Sequence, residues 1–568
     1  MRLRIRSLVP CLLLVSGTAW ADISGTVVNG PDSMPIAGAE VRVQAMENSP
    51  VAITNAAGEF TLAVNPANPV SLAGALPYDP DGSNNYFSNI AFAVNGQTDV
   101  QIGLRPFPVS DNPTYDPPTS FLCGACHGEQ HDQWSMSRHA GAGMNPWVLD
   151  LHSGGGTPGG SAGYVFRETH DPGETGFCAT CHNALEDVFD PGNVQMNEVT
   201  SASALEGVNC LTCHHIGEVD ENNINGLHHF GGKTQYRFPA EIEQNTEFQV
   251  FGPLPDVEAG IMYSVYNPLF ESSRLCAACH QYNNPDTGAP GQNTYAEWLA
   301  SPFAQAGPGF RSCQNCHMPQ ADGPGPITQI GSVERPASQR HAHTFIGATP
   351  TTLAEAITLT LDAEQQGDEI VVTASIFNGA GHSFPTGVSI RNAMLSVDVQ
   401  AGGMTLAQTG GPQIPFYGSD DVPGVQPGDL AGTPGKGFAK VLQGRINGQG
   451  SPVQPVLFID AETTQSDTLI PSSTTDTSVY RFAVPAGFTG TVSVDARLLY
   501  RRAWRALAVT KGWTVTPGGM PVEIEVAAEQ RQLAVESGFN LSAIPTLGIP
   551  ALLILILSVG LLAWRWRR

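Results

Sequence analysis

Five copies of Cys-x-x-Cys-His constrain this chain more than any other feature in it. They are Cys123-Gly-Ala-Cys126-His127, Cys178-Ala-Thr-Cys181-His182, Cys210-Leu-Thr-Cys213-His214, Cys276-Ala-Ala-Cys279-His280 and Cys313-Gln-Asn-Cys316-His317. The spacing is the attachment signature for c-type haem: two thiols add across the porphyrin vinyl groups and the next residue places an imidazole on the iron. Of the eleven cysteines only Cys11 lies outside the motifs. Structural zinc would join Cys/His pairs into closed tetrahedral sites, which an odd number of units fits badly. Thiol-disulfide motifs need no histidine after the second cysteine, and a disulfide framework would not repeat one unit five times. The reading is five covalent haem c groups, with His127, His182, His214, His280 and His317 as proximal ligands.

The two ends bear on compartment. Arg2, Arg4 and Arg6 precede an apolar stretch from Leu8 to Val15 and Ala19-Trp20-Ala21, which reads as a secretory signal over residues 1–21, cut before Asp22. Cys11 follows Pro10 in a short apolar run, which argues against a lipoprotein. At the other end an apolar run from Leu547 to Trp564 precedes Arg565-Trp566-Arg567-Arg568, long enough for a single transmembrane helix with its basic end in the cytoplasm. Ile544-Pro545-Thr546-Leu547 with the run and basic tail also resembles the bacterial IPTL-type sorting signal, from which the tail is cut on the way to the cell surface. Anchor and sorting signal stay open as readings of residues 544–568. Both place the body at the periplasmic face of the inner membrane or on the cell surface.

Removing the signal takes three arginines and no acid, moving the formal charge from −25 to −28. That balance disfavours nucleic acid and favours basic partners. Only 14% of residues are charged, with 62 glycines and 44 prolines, a composition for loops and strands rather than long helices.

Residues 22–108 alternate like strands, at Ile23 to Val28, Ala39 to Gln44, Gly58 to Val64 and Asp99 to Leu104. The run Gly25-Thr-Val, Pro35-Ile-Ala-Gly-Ala-Glu-Val and Thr54-Asn-Ala-Ala-Gly-Glu-Phe resembles the carboxypeptidase regulatory-like β-sandwich, usually a non-catalytic accessory. Asp79, Asp81, Asn84 and Asn85 are read as turn formers beside Gly82, with calcium as the rival. Residues 109–350 hold the five motifs, with so little polypeptide per motif that the porphyrins are expected to supply most of the apolar packing in a loop-rich, mainly α region. Residues 351–529 return to strand patterns, at Glu369 to Phe377, Met394 to Gln400, Val479 to Val484 and Thr491 to Leu499, predicting a second β-sandwich. Residues 530–543 read as a linker to the tail.

The sixth iron position decides between electron transfer and chemistry. Ten histidines lie outside the motifs. Gln133-Trp134-Ser-Met-Ser137-Arg-His139-Ala resembles the W-x-x-S-x-H-A stretch of the multihaem class around hydroxylamine oxidoreductase, its tetrahaem acceptor cytochrome and pentahaem nitrite reductase. The resemblance implies that His139 ligates a neighbouring haem. Thr294-Tyr295-Ala-Glu-Trp298-Leu-Ala-Ser301-Pro302 and the Cys-His-Met-Pro ending of the fifth motif look like the same class. His341-Ala-His343-Thr-Phe-Ile-Gly347 follows, and Asn378-Gly-Ala-Gly-His382-Ser-Phe-Pro-Thr-Gly387 resembles the G-H-x-x-P-T-G element of multihaem cytochromes with a β-rich C-terminal part. By that resemblance His343 and His382 are distal ligands, and His382 docks the second sandwich on the haems. His215, directly after His214, and His228, preferred over His229, complete the distal set. His131, His152 and His170 read as surface or hydrogen-bonded histidines, and Met318 as packing against porphyrin. No Cys-x-x-Cys-Lys motif of the nitrite reductases occurs, and hydroxylamine oxidoreductases carry more haems.

These features lead to an expectation of an extracytoplasmic carrier that passes electrons along mostly bis-histidine haems to a redox protein or a surface electron acceptor. The alternative is an oxidoreductase acting on a small nitrogen or sulfur compound at one five-coordinate haem.

Overall fold

A computed structural model describes residues 22–64, 68–82, 84–225, 229–238, 248–331, 333–419 and 428–536. The signal (1–21), the tail (544–568), Cys11 and His228 lie outside the described residues. Among the described residues no helix is long and apolar enough to cross a membrane.

The chain is multidomain, with β-sheet regions at both ends of a core of short helices. In the first region, strand Ile23–Asn29 pairs antiparallel with Glu59–Leu62 and parallel with Val100–Pro106. A second four-stranded sheet is built on Glu40–Val43 and Val70–Ala75. Alternate residues of both sheets (Ile23, Val27, Val41, Leu72, Ile102, Leu104) fill one apolar core, as period-two patterning requires. Asp79 and Asn85 serve as turn residues: Asn85 Oδ1 accepts from the Asp79 amide at 2.8 Å, and its Nδ2 donates to the Asp79 and Gly82 carbonyls.

This sandwich is fixed to the central region. The Tyr78 and Ser88 amides donate to the carbonyls of Tyr266 and Ser264. Tyr78, Phe87 and Phe107 pack with Phe251 and Val265. Buried Asp256 accepts from the Ala45 amide and from Arg335, at 2.7 and 2.8 Å.

In the C-terminal region, strands Ile357–Gln366, Glu369–Asn378, Thr474–Ala483 and Gln408–Gly410 form one sheet. A larger sheet runs Ala461–Asp467, Gly435–Gly444, Asn392–Ala401, Gly490–Arg501, Glu523–Val535. One core cluster from both sheets lies between them. The last strand continues to Val535, into the stretch read as a linker. It stays a strand because its pairing with Gly490–Arg501 extends to Gly490↔Val535.

The central region holds short helices and two-stranded ribbons such as Ile216–Val219 with Thr234–Tyr236. Besides the packing expected from porphyrin, the polypeptide supplies a core of its own here. Tyr115, Leu185, Ile216, Phe230, Tyr236 and Ala277 form a polypeptide cluster behind the motif helices.

Candidate metal centres

Four motifs are themselves helical turns, Cys178–His182, Cys210–His214, Cys313–His317 and the end of Arg274–His280. Helical spacing turns residues three and four apart to one side, so both thiols and the imidazole of a motif can serve a single ring. Two of these helices, shorter than isolated helices can sustain, carry capping boxes. Asn209 Oδ1 accepts from the Leu211 and Thr212 amides, and Thr212 Oγ1 accepts from the Asn209 amide. Ser312 and Asn315 repeat the arrangement. In each, a variable residue inside the motif is the capping partner.

All ten motif cysteines and all five motif histidines line one cavity of about 2050 Å³, roughly twice the upper size of an ordinary small-molecule pocket. The lining is mainly apolar and includes Trp134, Phe251, Phe270, Tyr282, Trp298 and Phe345. Among the described residues, no group of three or more His, Cys, Asp or Glu side chains gathers around a point as a bare-ion site would require.

Four of the five motif imidazoles share one orientation device. Nδ1 donates to a backbone carbonyl at His127 (Ile327, 2.7 Å), His182 (Ala142, 3.0 Å), His214 (Phe251, 2.7 Å) and His317 (Ile346, 2.5 Å). His280 differs: its Nδ1 faces the side-chain Nε2 of Gln292, a donor, at 2.8 Å. A carbonyl on Nδ1 fixes the tautomer and leaves the Nε2 lone pair for a metal. This donor set, with paired thiols on an apolar cavity, fits covalent haem c at each motif.

Five further histidines line the same cavity: His131, His139, His341, His343 and His382. His341, His343 and His382 repeat the Nδ1-to-carbonyl pattern, on Met318, His341 and Ser383. The His139 ring lies 6.4 Å from that of His280, and the His382 ring 6.3 Å from that of His317. With metal–imidazole bonds of about 2 Å, these separations would leave room for one metal between each pair of rings. His343 lies within electrostatic range of His214 and His127. His131 contacts Ser120 Oγ through Nε2 at 3.4 Å.

The remaining histidines stand elsewhere. His215 is buried among Tyr115, Tyr236 and Phe238 and is not part of the cavity lining. His152 stacks on Phe166, as does His170, whose Nε2 lies 3.0 Å from buried Asp460. His229 packs against Gly232. His341 was not singled out in the sequence, where its Nδ1 acceptor, the Met318 carbonyl, cannot be seen.

Contacts between motifs order the cluster. The Cys123 thiol is within hydrogen-bonding reach of Cys210, Cys181 of Cys279, and Cys276 of Cys313. Cys213 acts electrostatically on both Cys276 and Cys279. Motif one therefore adjoins motif three, and motif four adjoins motifs two, three and five.

Burial lowers the pKa of His139, His343 and His382 to about 4, and of His280 to about 3. All four are neutral at pH 7, the form that binds metal. These pKa values are depressed from 6.5, so the unfolded chain takes up protons that the folded one refuses. The associated stability is present above pH 6.5 and lost as pH falls towards 4. We expect the thermal midpoint to be level between pH 7 and 8 and to decline steadily from pH 6.5 to 4. A midpoint unchanged over that acid range would contradict the assignment.

No protein-family model matches the chain, and no curated protein matches its sequence. Among solved structures, the chain is similar to a penta-heme cytochrome c552 from Thermochromatium tepidum, with 22% identity and a TM-score of 0.48 over 74% of this chain and 99% of that one. A second likeness is to AvmM, described as catalysing macrocyclization in alchivemycin A biosynthesis, with 11% identity and a TM-score of 0.14 over 32% of this chain and 90% of that one. Neither likeness is close enough to supply a function.

Proposed function

We propose that this chain is a pentahaem c-type cytochrome that carries electrons along a cluster of mostly bis-histidine haems outside the cytoplasm. The observation that carries the reading is the convergence of all five motifs on one cavity, with thiols of different motifs near enough to influence one another. Those thiols would hold the porphyrins at their edges, so motifs whose thiols lie near one another would keep their haems close, as electron hopping needs. Bis-histidine ligation leaves no iron position for substrate. His139 and His382 are the proposed distal partners of His280 and His317, and His343 serves motif three or motif one. The electron acceptor is a redox protein or an acceptor at the cell surface, and the tail holds the protein at the membrane unless it is cut.

A second reading, turnover of a small nitrogen or sulfur compound at a five-coordinate haem, has one place in its favour. Beside Cys178 of motif two stand Tyr164 and Tyr282, and nearby His170 is engaged by Asp460.

The test is low-temperature EPR of the oxidised holoprotein, with spins counted against total haem. Five low-spin haems support the carrier. One stoichiometric high-spin haem supports the second reading, and fewer than five haems per chain would defeat both.

A further inference from the structure

The cavity wall near the fourth motif carries three guanidinium groups that make no ion pair with a carboxylate among the described residues. Arg138 precedes His139, Arg391 follows the His382 loop and Arg502 follows strand Gly490–Arg501, and all three line the cavity. Their polar contacts are to backbone: Arg391 donates to the Thr386 carbonyl at 3.2 Å, and Arg502 to those of Ala348 and Pro521. Adjacent Arg501 and Arg505 differ, each with a carboxylate at 2.6 Å, from Glu523 and Asp429. Burial lowers the pKa of Arg138 and Arg502, and repulsion from Arg391 adds to it. Arg138 is exposed and Arg391 and Arg502 are half-buried, so the three cations are open to anions held in the cavity.

We infer that Arg138, Arg391 and Arg502 receive the propionate carboxylates of the haem on the fourth motif and raise its reduction potential. The inference rests on the haem reading above. Its placement follows from the residues: Arg138 adjoins His139, whose ring faces that of His280, and Arg391 acts electrostatically on both His280 and His382. Arginine is suited to the role because its planar fork pairs with carboxylates through two parallel hydrogen bonds. Three guanidiniums exceed two propionates, leaving positive charge near the iron. Reduction adds one electron to ferric iron and moves no atom or proton, so a positive surplus favours the ferrous state. Thiols of motif four interact with thiols of motifs two, three and five, so these arginines set the level at the branch point of the cluster. They are positioning residues, with no contact to a reacting atom.

The test is a spectroelectrochemical titration of the holoprotein, with haem per chain counted from the pyridine haemochrome. Arg391→Gln and Arg138→Gln are compared with wild type; Arg138 has no backbone bond to lose, so R138Q guards against misfolding. The expected result is five haems in every protein, one component shifted to lower potential in each variant, and partial return in Arg138→Lys. Unchanged midpoints in both variants would overturn the inference. So would a wild-type midpoint that moves on adding inorganic sulfate and stops moving in R138Q, since the cluster would then serve a free oxyanion. A wild-type count below five haems would defeat the haem reading by its own readout, and this inference with it.

Discussion

Replacing His382 by alanine is expected to convert one haem in five from low-spin to high-spin, with the other four unchanged. The imidazole is presented by a loop held at several points. Asn378 Nδ2 donates to the His382 carbonyl at 2.8 Å, and Phe384 pairs with Ile470 through reciprocal backbone hydrogen bonds of 2.9 Å. Thr386 Oγ1 donates to Glu297 at 2.6 Å, and the Ser383 amide donates to the same carboxylate. Glu297 belongs to helix Thr294–Leu299, between motifs four and five. The loop thus stays in place without its imidazole, and the loss falls on the iron of motif five. Added imidazole should enter the space left by the side chain and restore the low-spin spectrum, which separates lost ligation from lost folding. An EPR spectrum of H382A with no new high-spin signal would remove His382 from the ligand set.

The second large effect is on stability. Asp150 is fully buried, and its carboxylate accepts four hydrogen bonds: from the Gly156 and Thr157 amides (2.9 and 2.7 Å), from Thr157 Oγ1 (2.7 Å) and from Trp513 Nε1 (2.7 Å). Beside it, buried Lys511 donates to the carbonyls of Asp150, Gly160 and Tyr164. The Trp147 and Trp513 rings stack at 4.5 Å over the same joint. Asp150 and Trp147 belong to helix Pro146–His152 of the central region, whereas Lys511 and Trp513 belong to the C-terminal one. Asp150→Ala would strand several buried donors, and we expect it to cost about 3–5 kcal/mol. Asp150→Asn keeps one carbonyl acceptor and should cost less. Urea unfolding of the holoproteins measures both, and a loss under about 1 kcal/mol in D150A would show that the joint contributes little.

Much of the site is legible in the sequence because haem attachment is local. Two thiols and an imidazole within five residues are the pattern from which the cofactor and its count are proposed without a fold, as at Cys276-Ala-Ala-Cys279-His280. The strand alternation of Ile23–Asn29 and Glu369–Asn378 likewise reports half-buried sheets, because side chains on a strand face opposite sides with a period of two.

Tertiary structure alone decides which rings meet. His139 faces His280 and His382 faces His317 across long stretches of chain, and His341 joins the cavity lining through a bond from its Nδ1 to the Met318 carbonyl. His215, directly after a proximal ligand in the sequence, has its ring among Tyr115, Tyr236 and Phe238. Consecutive residues on a helix point about 100° apart, so adjacency in sequence sends the two rings of His214 and His215 to different neighbours. The sequence by itself determined how many Cys-x-x-Cys-His motifs there are and which residues are proposed to hold each porphyrin. The fold determined which further histidines line the cavity, the order of the motifs and the placement of the arginines, because these depend on contacts between segments that no local pattern encodes.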